Sequence, residues 1–497
     1  MIRRVLSVLL RLGAWSVFLA AFVWPTISLM HRCWTNEASA AAGLTPTWRQ
    51  WELLGRSAGL SAIAAASAIV LALPLAAMLA CGGRAIRRSA LAAALFLILL
   101  TPPMLYSFGW DRLAPNLVPP SIRCIVLWAL WACPIPAMLL AGGWSRGGRQ
   151  AYEAALLSSS STRALVVGTR PVLQRHVVLS FVVLFLLFLG DYGVPHACGL
   201  VVYATELLGW ASSSTLPMDT VLPSLPNVLA TAVLLLLATW LWQDELLSEA
   251  DDFTPPSANR RWAVAASLLV FLVGWIAPIG GLALRLGSWN VVRETARTYS
   301  PDILWSVGTA ILAGVLSVGM AWGLLARPWV RRVATGWALL FGAVPGALIG
   351  TALLAGFNHA ATGWIFDHWP ILTLCYVARF GWIAMLAASA LPWSRSDICD
   401  QAYVDGADRR RIIDSLLAPM HAPVGLAVVA VITALSLAEL PASSLVRVPA
   451  FNPVAHVIIE KFHRFEYGML AALSSCFLIA AGPAVALLVT VHQKKIR

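Results

Sequence analysis

Long apolar runs recur from one end of this chain to the other, and they leave few folds open to it. They lie near 8–30, 57–81, 89–109, 122–142, 173–195 and 223–243, and again near 262–286, 304–326, 334–356, 369–392, 423–441 and 467–491. Each reaches or approaches the roughly 20 residues that a helix needs to cross lipid. Lipid offers the backbone no hydrogen-bond partners, so helix is the default for every run. A polar stretch, QDELLSEADDFTPPSANRR at 243–261, divides the runs six and six. The pattern predicts an all-α polytopic membrane protein with about 12 transmembrane helices.

Composition agrees. Hydrophobic residues make up 59% of the chain, charged residues 12%, and mean hydropathy is +0.78. A soluble chain of this length needs more charge to cover its surface. Many of the 23 Trp sit near the ends of apolar runs, where an amphipathic ring suits the interface. The eight Cys, at 33, 81, 124, 133, 198, 375, 399 and 476, form no CxxC pair and no cluster with His. That spacing predicts neither a metal site nor a disulfide framework, and no cofactor is expected. The net charge of +12 raises the possibility of nucleic acid, but the arginines lie between apolar runs, so topology explains them and no nucleic-acid partner is expected. With the N-terminus inside, most of the 35 Lys and Arg residues fall on inside segments. This predicts cytoplasmic N- and C-termini and an inner, or plasma, membrane location. The start, MIRRVLSVLLRLGAWSVFLAAFVWP, followed by ASAAA at 38–42, also has the form of a signal peptide. Its length, Arg11 and Pro25 favour a retained first helix.

The segment 244–261 runs from acidic to proline-rich to basic without an apolar period, and is expected to be a cytoplasmic linker. A cysteine introduced by Asp251→Cys should therefore stay unlabelled by an impermeant thiol reagent in intact cells. Labelling from outside would overturn the twelve-span arrangement.

The chain also repeats itself. QAYEAALLSSSSTRALVVGTRP (150–171) precedes an apolar run ending in GDYGVP, and CDQAYVDGADRRRIIDSLLAP (399–419) precedes one ending in AELP. Pro171 and Asp191 are 20 residues apart, as are Pro419 and Glu439, and both pairs are offset by 248. Ser57 and Ser306 differ by 249. Basic loops resemble one another for topological reasons, but that does not account for a shared Ala-Tyr, a spaced proline and an acid at fixed distance. The repeat predicts two homologous six-helix halves, at 1–243 and 262–497.

Residues 400–419 resemble the EAA loop of binding-protein-dependent ABC importer permeases: E-A-A, three residues, Gly, nine residues, an aliphatic, any residue, Leu-Pro. Here Asp400, Gln401 and Ala402 hold the first three places, Gly406 the glycine, Leu416 the aliphatic and Pro419 the proline. Ala418 replaces the Leu. The first half offers Glu153, Ala154 and Ala155, with Ser159 at the glycine position and Pro171 one residue early, so this copy is degenerate. GDYGVPHACGLVVYATEL (190–207) and LAELPASSLVRVPAFNPVAHVIIEKFH (437–463) resemble the segments after that loop in fused ferric-iron-type permeases, and thiamine permeases share much of the pattern.

The resemblance implies loops at about 143–172 and 393–422 that dock two copies of a cytoplasmic ABC ATPase. It also implies a periplasmic or extracellular solute-binding protein at the outer face, and a solute path between the halves. An EAA loop would form two short helices, with Gly406 turning the chain between them and Pro419 opening the next span. Arg409 and Arg410 would face solvent or the partner. The solute expected is ferric iron, with thiamine or another small solute as the alternative. An ion-coupled secondary transporter is the alternative of another class. Such a transporter usually carries several acids within its spans, whereas here Asp191 and Glu439 stand at span ends. The His residues are dispersed, which gives no catalytic set. No Walker A sequence occurs, so energy must come from another subunit.

Asp191, Tyr192, Arg379 and Glu439 are the pathway positions to inspect. An unpaired Arg at a helix centre costs about 2.5–3.5 kcal/mol. Arg379 is therefore expected either to pair with Glu439, in which case charge reversal at both should restore what either reversal destroys, or to reach the outer interface.

Overall fold

The computed structural model of the chain describes residues 2–35, 47–81, 91, 94–95, 97–99, 101–113, 118–145, 148–160, 163–164, 169–213, 217–242, 260–324, 328–389, 397–408, 411–449, 452–476 and 479. Among these it is helical, with no strand. In chain order the helices are α1 (Ile2–Phe18), α2 (Trp24–Thr35), α3 (Trp48–Cys81), α4 (Pro103–Leu113), α5 (Pro120–Ala132), α6 (Pro134–Ser145), α7 (Gly148–Leu156), α8 (Thr169–Leu189), α9 (Gly193–Ala197), α10 (Tyr203–Ser213) and α11 (Met218–Trp242). They continue as α12 (Arg260–Phe271), α13 (Ala277–Arg285), α14 (Trp289–Thr298), α15 (Ser300–Leu324), α16 (Pro328–Ala343), α17 (Gly346–Phe357), α18 (Gly363–Phe366), α19 (Trp369–Ser389), α20 (Asp397–Val404), α21 (Ala418–Leu437), α22 (Pro441–Leu445), α23 (Val454–His463) and α24 (Tyr467–Cys476).

Six helices are long and apolar enough to cross a membrane: Leu9–Thr35, Trp48–Ala80, Met218–Leu236, Ala263–Arg285, Ser300–Leu324 and Trp369–Ser389. Two bent pairs, Pro120–Ala132 with Pro134–Trp144 and Trp329–Ala343 with Gly346–Phe357, bring the number to eight if each is one span. This is a membrane-embedded helical protein.

Four of the apolar runs differ from simple spans, and proline accounts for three of the differences. The run at 122–142 bends by 44° at Cys133–Pro134. The run at 334–356 turns through 110° where Pro345, with φ −54° and ψ 138°, stands outside both helices. In the run at 89–109, helix gives way at Thr101–Pro102 and restarts at Pro103. Proline lacks the N–H that would continue a helix and pushes the preceding residue out of helical geometry. The fourth run, 173–195, is helical only to Leu189, and Gly190–Tyr192 is a turn.

The backbone clusters into two compact units that do not coincide with the sequence halves. One comprises residues 1–44, 210–224 and 299–459, the other 45–209, 225–298 and 460–497. Each unit takes its opening helix from the other half of the sequence. In the first, α1 packs on α15 and α2 on α17; in the second, α12 packs on α3 and α13 on α4.

These opening helices share a local device. Leu19–Val23 and Leu272–Ile276 are both π-helical, and Pro25 and Pro278 follow each by two residues, 253 apart. Trp24 N–H bonds to Leu19 O and Ala277 N–H to Leu272 O. The wide turn moves the carbonyl four residues before the proline away from the ring and absorbs its missing donor.

Small residues set the packing distance. In the second unit Ala64, Ala65, Ala68 and Ala72 of α3 are fully buried, and α3 meets α5, α6, α8 and α12 there. In the first unit α15 buries Ala310, Ala313, Gly314, Ser317 and Ala321 against α19 and α21. Lipid supplies little hydrophobic drive between helices, so close backbone approach at small residues carries association.

Candidate functional site

The polar loop of the second half is built as a helix stop followed by a helix start. Helix α20 ends at Val404; Gly406 N–H donates to Tyr403 O at 3.0 Å and Ala407 N–H to Ala402 O at 2.9 Å. Gly406 has φ +80°. This is the Schellman arrangement, which needs a left-handed residue one past the cap, and glycine adopts it without a Cβ penalty. Three residues later the chain turns helical again, with Asp408 Oδ1 accepting from Arg411 N at 3.0 Å as an N-cap. A π-helical stretch, Ile412–Leu417, leads directly into α21, where Pro419 lies in the first turn.

The expected second short helix is thus continuous with the span rather than separate from it. Its wide turn again sits just before a proline, for the reason given above. Leu416 lies in that turn; Arg409 and Arg410 lie outside the described residues.

Asp400, Gln401, Tyr403 and Val404 are exposed, Val404 at 87%, beside an open groove of about 520 Å³ lined by Asp400, Gln401, Val404 and Asp405. An exposed valine next to two acids is poor surface chemistry unless a partner covers it.

The first-half loop reaches a similar end by other means. Helix α7 carries Glu153, Ala154 and Ala155; Leu157 N bonds Ala154 O at 3.3 Å and Ser158 N bonds Ala155 O at 3.2 Å. No left-handed residue is used here. Ser159 Oγ donates to Ala155 O at 2.8 Å, so the hydroxyl satisfies a terminal carbonyl that a glycine turn would serve with backbone. Leu157 is 91% exposed on this loop, and Tyr152 and Ala164 are buried together beneath it. Pro171 lies in the first turn of α8.

Farther along, each repeat holds its acid in a matching turn. Asp191 accepts from Gly193 N and Val194 N, both at 3.2 Å, and caps the short helix α9. Glu439 Oε1 accepts from Ala442 N at 3.0 Å and caps α22. Val194 and Ala442 are 248 residues apart, as the acids are. Each acid also meets one side chain from a neighbouring span. Trp128 Nε1 of α5 donates to Asp191 Oδ2 at 2.8 Å, its ring stacked on Phe188. Arg379 Nε of α19 lies 3.5 Å from Glu439 Oε2. At that distance Nε forms an ion pair without a hydrogen bond.

Arg379 does more than balance charge. Its Nη1 donates to Gly342 O and to Val344 O, carbonyls released where α16 breaks at Pro345. In the other unit Trp131 Nε1 takes Thr101 O, released at the corresponding proline break, at 2.9 Å. Breaks in lipid-embedded helices survive when such donors re-satisfy the backbone.

Gly346 is the small residue this requires, since a Cβ there would come within 2.9 Å of Glu439 Oε1. Ser443 Oγ bonds Glu439 O and His456 Nε2, and burial holds the His456 imidazole down to about 4, keeping it neutral. Tyr192 stacks on His196 at 4.8 Å between ring centres.

Ser57 and Ser306 also recur in role. Tyr203 N donates to Ser57 Oγ at 2.8 Å and Val454 N to Ser306 Oγ at 3.0 Å, so each ties the start of a later helix to an early span. The sequence reading missed Trp128 as a partner of Asp191. Its signal was spacing, since Trp128 and Arg379 are 251 residues apart, close to the offset of the acids they hold. Among the described residues no three His, Cys, Asp or Glu side chains are grouped as a metal ion requires. Comparison with known protein families, with characterised proteins and with solved structures finds no match.

Proposed function

We propose that this chain is the permease subunit of a binding-protein-dependent ABC importer, with two homologous halves of six spans each. The observation that carries the reading is the Gly406 turn. A left-handed glycine six residues after Asp400, and a proline opening the next helix 13 residues later, give an exposed helix-and-turn at the spacing of an ATPase-docking loop. The exposed Val404 and Leu157 supply apolar contact for such a partner. ATP-driven closure of the ATPase dimer would draw the two docking loops together and rock the spans behind them. Solute delivered by a binding protein would pass on the opposite side. Ferric iron is the solute the sequence resemblance favours, with thiamine the nearest alternative.

Gly406→Pro tests the docking role. Proline fixes φ near −65° and removes the N–H that bonds Tyr403 O, so the Schellman turn cannot form. Transport should fall about tenfold or more for a misplacement of this kind, while the protein still reaches the membrane and ATP hydrolysis by the assembled complex continues. Ser159→Pro should be milder. Full uptake in Gly406→Pro would leave the loop as a basic connector.

Uptake of labelled ferric iron and labelled thiamine, in cells with and without the chain, separates the solutes. Uptake into vesicles lacking any ATPase would instead favour an ion-coupled carrier.

A further inference from the structure

Two arginines converge on one carboxylate in the second compact unit. Asp111, in the last turn of α4, receives Arg123 Nη2 on Oδ1 at 2.9 Å and Arg285 Nη2 on Oδ2 at 2.8 Å. Arg123 comes from the first turn of α5 and also meets Ser107 O at 3.5 Å; Arg285 is the last residue of α13. The Arg285 guanidinium lies 4.3 Å over the ring of Tyr467. Both arginine side chains are withdrawn from water, with exposures of 16% and 10%, whereas Asp111 is 35% exposed.

The charges do not balance. Among the described residues no other carboxylate lies within 4.0 Å of either guanidinium, so the cluster keeps one positive charge. Arg285 Nε and Nη1 are buried and make no hydrogen bond. The carbonyl ends of α4 and α13 are close in sequence to these side chains, yet they accept nothing from the orphaned nitrogens.

A buried donor without a partner costs about 1–3 kcal/mol, and more when charged. A buried charge without a counter-charge is costlier still. The exposed carboxylate marks the side from which a small anion can approach. Guanidinium presents five donors in a fixed planar fork, and two such forks around one carboxylate leave donors facing several directions. A tetrahedral group with several acceptor oxygens meets that arrangement better than a second planar carboxylate does.

We propose that Arg123, Arg285 and Asp111 form a binding site for one phosphate group, seated beside Asp111 and taking guanidinium donors that the protein leaves unused. The group can belong to free phosphate or to a phospholipid headgroup. The site stands whether or not the chain is an importer, because its readout is binding rather than transport.

The test uses the full chain in nanodiscs and radiolabelled orthophosphate in equilibrium dialysis. In zwitterionic discs the protein should bind orthophosphate saturably. Arg285→Gln should weaken that binding at least about tenfold, since hydrogen bonds to charged groups are lost. Asp111→Asn keeps both arginines and removes the competing charge, so it should tighten binding several-fold. Discs containing an anionic phospholipid separate the sources. Unchanged orthophosphate binding there identifies the free anion; its loss, with phospholipid retained in native mass spectrometry in an Arg285-dependent way, identifies the headgroup. The proposal is overturned by an absence of both ligands from the wild-type chain. It is equally overturned by affinity that stays the same in Arg285→Gln, or that fails to rise in Asp111→Asn.

Discussion

Gly109→Leu is expected to prevent recovery of the folded chain from the membrane. A Cβ at Gly109 would stand 2.1 Å from the carbonyl oxygen of Pro278, and a Cβ at Gly281 would stand 2.1 Å from Gly109 O. These contacts are with backbone, so no side-chain rotation relieves them. Helices α4 and α13 would have to separate along their crossing, at a cost of about 3 kcal/mol or more. The crossing of α17 with α2 in the other unit is looser. A Cβ at Gly356 meets Trp24 Cδ1 at 3.1 Å and Pro25 Cα at 3.3 Å, so Gly356→Ala should be clearly milder. Gly55 and Gly59 on α3 have nothing within 4 Å. Alanine at either should be neutral, or stabilising by about 0.5–1 kcal/mol, as it is for glycine within helices generally. Reversible unfolding in mixed detergent ranks the four substitutions. A Gly109→Leu chain as stable as wild type would show that α4 and α13 do not approach so closely.

Removing one partner of the Arg379–Glu439 pair carries the second large effect. Glu439 is 6% exposed and Arg379 13%. Losing either leaves a buried charge uncompensated, which costs about 3–5 kcal/mol. The sequence reading expects full rescue by reversing both charges, and the structure revises that. Glutamate at 379 cannot donate to Gly342 O and Val344 O, and arginine at 439 cannot accept from Ala442 N. The double reversal should therefore recover only part of the loss. Arg379→Met with Glu439→Gln is the cleaner cycle, because glutamine keeps an acceptor for Ala442 N. Its coupling energy should be about 1–3 kcal/mol, as for contacting residues in one network. A coupling near zero would reduce Arg379 to a cap for the broken end of α16.

Much of the helical layout was legible because apolar length is read directly. Pro25 and Pro278 sit at the same place in matching runs, and Gly406 has the sequence context of a turn that needs a left-handed residue. The pairing of Arg379 with Glu439 followed from the rule that a charge within a span seeks a partner. Breaks inside the spans were harder to see. Pro102, Pro103 and Pro345 were in plain view, but counting apolar residues treats a bent run and a straight one alike. Asp191 and Glu439 were read as span-end acids. Their role as caps for α9 and α22 depends on backbone N–H directions that no residue pattern states. The orphaned donors of Arg285 were invisible for a related reason, since Asp111, Arg123, Arg285 and Tyr467 are scattered over more than 350 residues.

The exchange of opening helices bears on how the chain is made. Helix α1 enters the membrane early, but α15 and α17, against which α1 and α2 pack, begin at residues 300 and 346. Helices α1 and α2 must therefore wait in lipid while some 265 residues are synthesised, about 13–53 s at 5–20 residues per second. During that interval the buried faces of Ala14, Phe18, Phe22 and Leu29 have only lipid or a helper protein to cover them. A chain stopped at residue 243 would hold α1 and α2 without their partners and α3 without α12, so a truncated product should be handled by the cell as an unfinished one. Supplying residues 260–497 from a second message gives each orphaned helix its mate, and recovery of the first fragment should depend on the second.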